Sequence, residues 1–130
     1  MTEYEGRVRL VFKDFPLASH TRARAAHEAA RCAGTAGEYW RYHNRLFEAQ
    51  PRFERAQLVA YAVELGLDGE RFQRCLDEHR FSSQIDQDIR QGRALGVSGT
   101  PSFLINGHSL VGAHPVENFR DVIDGLLRAR

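Results

Sequence analysis

GVSGTPSFLINGHSLVGA, residues 96–113, sets two short apolar runs on either side of one turn signal. Ser102 to Ile105 is the first run and Ser109 to Val111 the second, with Asn106-Gly107 between them and His108 in the turn. A two-residue type I′ turn needs positive φ at both central positions, which Asn and Gly tolerate best, so this stretch predicts a β-hairpin. Pro101 opens the first strand, where a missing N–H does least harm to the ladder. Wedged between a Gly-rich turn and that strand, it is also a candidate cis peptide bond.

Working outward, helical periodicity flanks the hairpin on both sides. On the far side Pro115 starts a helix carrying Phe119, Val122, Ile123 and Leu126 on one face. On the near side an Ala-rich stretch, Thr21 to about Cys32, ends at Gly34 and Gly37. Glu38 to Gln50 places Tyr39, Tyr42, His43, Leu46 and Phe47 at helical spacing, and Pro51 closes it. Such an aromatic stripe reads as core. Ala56 to Leu65 forms a third helix, and Asp68 caps a fourth that bears Phe72, Cys75 and Leu76. Ser82 or Ser83 opens a fifth, which runs to Leu95-Gly96. Before all of these, Arg7 to Phe15 alternates: Val8, Leu10 and Phe12 on one face, Arg7, Arg9, Val11 and Lys13 on the other. That pattern predicts a strand whose basic side suits a sheet edge.

The order strand, helices, hairpin, helix, together with three motifs, resembles a known family. GVSGTPSFLING followed by LVGAHPVENF, VRLVFKDFPLASH, and AARCAGTAGEYWRYHNRLFE are similar to the DsbA-like thiol–disulfide oxidoreductases of the thioredoxin fold. The resemblance covers nearly the whole chain from about Gly6. It implies an α/β thioredoxin-like domain over residues 1–130, with a helical insertion over 18–95. It further implies that Thr100 and Pro101 form the loop that meets an extended substrate peptide, a thiol- or disulfide-bearing polypeptide. No cofactor is implied.

One departure stands against this agreement. The family's nucleophile sits in a Cys-x-x-C at a helix N-terminus, where the dipole lowers a thiol's pKa, and this sequence has no Cys-x-x-C. By resemblance, the strand and helix that carry the motif would precede Arg7. The expectation is therefore a sheet lacking its first core strand and a chain that is redox-inactive, without catalytic cysteines. The alternatives are a thioredoxin-fold module that binds a peptide or partner, and a glutathione-binding isomerase or transferase relative. A missing central strand leaves backbone groups unpaired, so a homodimer in which a second chain supplies a strand is expected.

Composition bounds the rest. With 130 residues, 42% hydrophobic and 27% charged, the chain has the size and make-up of one globular domain. A net charge of +1 gives no broad electrostatic hold on nucleic acid or membranes. No apolar run reaches membrane-spanning length, and MTEYEGRVRL lacks a signal-peptide core, so the sequence as written predicts a cytoplasmic protein, whereas the resembling family is mostly exported. Cys32 and Cys75 are too few and too far apart for a zinc site. Three readings of them stay open: buried inert thiols, a structural disulfide, or a reactive thiol. The six histidines, His20, His27, His43, His79, His108 and His114, show no metal spacing. Glu117 and Asp121 fit the solvated face of the last helix.

Overall fold

A computed structural model describes residues 2–129. The chain forms six helices and one hairpin among these residues: α1 (Ala23–Gly34), α2 (Tyr39–Ala49), α3 (Arg55–Glu64), α4 (Gly69–Asp77), α5 (Ser82–Ala94), β1 (Ser102–Ile105), β2 (His108–Val111) and α6 (Val116–Arg128). A short 3-10 turn, Thr2–Tyr4, precedes them. The residues fall into two compact units, Met1–Ile89 and Arg90–Arg130.

The first unit holds the core. α1 turns a face of small residues, Ala26, Ala29, Ala30 and Ala33, toward Tyr42 and Leu46 of α2, Leu58, Tyr61 and Ala62 of α3, and Phe72 and Leu76 of α4. Alanine costs no side-chain entropy in a helix and lets neighbouring helices approach closely. Tyr42 is fully enclosed, and its hydroxyl donates to the Leu58 carbonyl at 2.7 Å, so its one polar atom is satisfied. α4 starts where expected: the Asp68 carboxylate accepts from the N–H groups of Glu70 and Arg71. At the start of α3, Gln57 reaches back to accept from the Glu54 N–H at 3.1 Å.

In the second unit the hairpin forms about the anticipated turn, with Ser102 opposite Val111 and Ile105 opposite His108, so β2 starts one residue before the expected run. Asn106 and Gly107 take φ of 48° and 87°, as a type I′ turn requires. Phe103 meets Phe119 of α6 edge-on, with ring centroids 4.8 Å apart. No described residue after Asp88 is buried, and Leu95, Leu104, Val111 and Val116 stay exposed. The Thr100–Pro101 and Gln50–Pro51 peptide bonds are cis.

The segment Arg7–Phe15 departs from expectation. It is not a strand: among the described residues the hairpin is the whole sheet. Residues 8–17 run without helix, turn or bend. The alternating pattern is there, but a strand exists only by pairing, and no described segment pairs with this one.

Candidate functional site

Two sets of residues, one in each unit, bear on function. The Thr100–Pro101 loop lies in the second unit, with both residues exposed. It is braced from each side: the Ser102 hydroxyl donates to the Gly99 carbonyl at 2.6 Å, and the Gly112 N–H donates to the Pro101 carbonyl at 2.9 Å. A recess of about 50 Å³ lies among residues of the β1–β2 hairpin and the Leu95–Ser98 approach to it, room for a few waters.

In the first unit, Cys32 of α1 and Cys75 of α4 are joined in a disulfide across 43 positions of sequence, their Cα atoms 5.9 Å apart. Helical phase explains the meeting. Cys32 shares the α1 face of Ala29 and Ala33, and Cys75 shares the α4 face of Phe72 and Leu76, so each sulfur points into the common core. They are only 4% and 3% exposed. Of the three readings left open for the cysteines, the disulfide is the one the structure holds. It overturns the expectation that the chain is without redox cysteines: a disulfide is one half of a two-electron couple. The expected redox inactivity rested on the missing Cys-x-x-C, a local spacing, whereas this pair is assembled by helix packing.

Beside this core lies a polar cluster that sequence reasoning missed. Asp14, 1% exposed, accepts from His27 Nδ1 and from Arg31 Nε, each at 2.7 Å. Arg31 Nη2 donates to Asp88 of α5 at 2.8 Å, and Asp88 also accepts from the Asp14 backbone N–H at 2.9 Å. Burial alone would raise the Asp14 pKa, but the hydrogen bonds and charges of His27 and Arg31 outweigh it and hold the carboxyl below its ordinary value. Burial likewise tends to lower the Arg31 pKa, and Asp14 and Asp88 more than compensate. Tyr39, on the same side, is pushed well up by burial and by Asp14. A signal was available: His27 and Arg31 are four apart, hence neighbours on one helix face. An open cleft of about 380 Å³, lined by Phe12, Arg31, Gly34, Thr35, Tyr39 and Phe81, adjoins the cluster. Its lining cation, Arg31, is already committed to two carboxylates. Among the described residues no group of His, Cys, Asp and Glu is arranged to hold a metal, and no helix is long and apolar enough to cross a membrane.

Hairpin and helices together define an α/β thioredoxin-like protein with inserted helices, in which the described residues form an open two-stranded sheet without the fold's first core strand. Residues 1–125 match the family described as "Thioredoxin", and the chain belongs to that family. A crystal structure of a thioredoxin-like oxidoreductase from Silicibacter pomeroyi superposes with a TM-score of 0.86 at 26% identity, covering 98% of this chain and 73% of that one. In sequence the chain is similar to Na(+)/H(+) antiporter NhaA 1 of Salinispora arenicola, 36% identical over 111 residues, 85% of this chain and 17% of that protein. It is also similar to Na(+)/H(+) antiporter NhaA of Herminiimonas arsenicoxydans, 31% identical over 112 residues, 86% of this chain and 18% of that protein. The chain thus spans under a fifth of the length of these curated relatives.

Proposed function

We propose that this chain is a DsbA-like thiol–disulfide exchange domain whose working couple is Cys32–Cys75, acting on a thiol-bearing polypeptide. The disulfide carries this reading, and the likeness to a solved thioredoxin-like oxidoreductase supports it. In the exchange, a partner thiolate attacks one sulfur of the pair. The S–S bond breaks, the other cysteine leaves as a thiolate and takes a proton, and a mixed disulfide remains. A second partner thiolate then attacks the partner's own sulfur, forming the partner disulfide and releasing the remaining cysteine. Two electrons pass from the partner to Cys32 and Cys75. Because both sulfurs are buried, attack requires local opening of α4 from α1.

The same burial favours a second reading, a permanent tie between α1 and α4. A fluorescent dipeptide-spaced dithiol peptide, mixed with the oxidised full chain, separates the two. Exchange predicts stoichiometric peptide oxidation and matching appearance of two alkylatable thiols, both lost in Cys32→Ser and Cys75→Ser. Peptide oxidation no faster than with the serine variants overturns the exchange reading and leaves the tie.

A further inference from the structure

Arg24, Glu28 and Cys32, one turn apart on α1, meet Ser82, His79 and Cys75 in reverse order. Arg24 Nη2 donates to the Ser82 hydroxyl at 2.8 Å and to its carbonyl at 3.1 Å. His79 Nδ1 donates to Glu28 Oε1 at 3.0 Å, and Cys32 is bonded to Cys75. Residues four apart share one helix face, so these three contacts fasten the end of α4 and the turn after it along α1. That end closes in a left-handed cap. His79 stands where glycine is usual, with φ of 47°. Its N–H donates to the Leu76 carbonyl at 3.1 Å, and the Arg80 N–H donates to the Cys75 carbonyl at 3.3 Å. Cys75 thus belongs to the final turn, where a helix frays first. Asp77 to Arg80 are all exposed, and Asp77 pairs with Arg55 of α3, not with α1. Glu28 is only 7% exposed, and His79 is the partner that satisfies its buried carboxylate.

We propose that a thiol enters the disulfide at Cys75, when release of His79 from Glu28 lets the last turn of α4 unwind, and that Cys32 is the leaving sulfur. This rests on the exchange reading and gives the two cysteines unequal parts in it. A thiolate must reach the sulfur it attacks, so the sulfur whose surroundings loosen is the one attacked. Cys32 stays enclosed. It lies between Ala29 and Ala33, each 0% exposed, in a helix that packs against α2, α3 and α4. Its carbonyl accepts from both the Thr35 hydroxyl, at 2.7 Å, and the Thr35 N–H, at 3.2 Å. Cys75 instead moves with a turn that one side-chain bond, His79 to Glu28, holds to α1. The entering sulfur bonds to Cys75 Sγ, the Cys32–Cys75 bond breaks, and its electron pair leaves with Cys32, which takes a proton from water. His79 and Glu28 are positioning residues in this step.

The test treats the oxidised full chain with 2-mercaptoethanol, stops the reaction with acid at short times and alkylates free thiols with N-ethylmaleimide. Tryptic cleavage puts the cysteines on separate peptides, 32–41 and 75–80. The mercaptoethanol adduct is expected on 75–80 and the maleimide on 32–41. The reverse, or an equal split, overturns the proposal, and this map needs no variant. His79→Asn keeps a residue that tolerates positive φ but gives up the reach to Glu28. It should speed reduction about tenfold, the worth of one hydrogen bond to a charged group. Glu28→Gln/His79→Asn, which leaves no buried charge unpaired, should be as fast. In both, amide exchange should quicken at His79 and Arg80 and not at Ala30. Unchanged reduction, or equal quickening at Ala30, overturns the gate. Because the small thiol replaces the peptide, the two readings fail separately: an adduct on 75–80 without peptide oxidation refutes exchange and leaves entry at Cys75 standing.

Discussion

Asp14 is the residue on which the first unit's polar chemistry converges. Its carboxyl is 1% exposed and joins a chain segment without regular structure to α1, while Asp88 accepts its N–H and ties in α5. Removing one partner of a buried ion pair leaves the other uncompensated, which typically costs about 3–5 kcal/mol. Asp14→Asn should therefore lower stability by about 3 kcal/mol at neutral pH, measured by urea unfolding. The pH dependence has a definite sign. The folded pKa lies below the ordinary value of 3.8, so the stabilisation is present in full above that value. It is lost as pH falls below 3.8 through the folded pKa. The gap between wild type and Asp14→Asn should accordingly close in that acid range, and a gap unchanged down to pH 2 would refute this account.

At the scale of elements, the disulfide and the hairpin turn offer independent tests. In the chain-entropy view, a bond closing a loop of 43 positions stabilises by about 4 kcal/mol. For a domain of this size that corresponds to a Tm on the order of 10–20 °C higher for the oxidised protein than for Cys32→Ser/Cys75→Ser, readable by circular dichroism. The helical units gain less from single caps. Asp68→Ala removes two accepted N–H bonds at the start of α4 and should cost about 1 kcal/mol. In the hairpin, Gly107 sits at φ 87°, where a β-branched side chain is strained. Gly107→Val should cost about 1–2 kcal/mol and abolish the cross-strand contacts between Ile105 and His108 seen by nuclear Overhauser effects.

Across the molecule, buried apolar residues are distributed unequally. Every member of the main core cluster lies between Ala26 and Leu76, inside the first unit. α6 buries no residue. A chain cut to residues 2–89 should keep helical circular dichroism and unfold cooperatively, whereas residues 90–129 alone should show no cooperative transition. Loss of helicity in the longer piece would mean that its core depends on the second unit.

Much of this was legible along the chain because its causes are local. Asn106-Gly107 specifies positive φ wherever it occurs, Asp68 caps through the amides two and three residues further on, and periodic apolar residues mark each helix to within a few positions. Asp14, His27, Arg31 and Asp88 come from three segments, so only packing could reveal that they meet. The same is true of Cys32 and Cys75: the sequence left a disulfide as one reading of three, and helix phase decides it. The alternation of Arg7–Phe15 established a strand's side-chain pattern but not a strand. Side-chain periodicity belongs to the residues themselves, while a ladder of hydrogen bonds belongs to two segments at once, and only the tertiary structure decides whether the second is there.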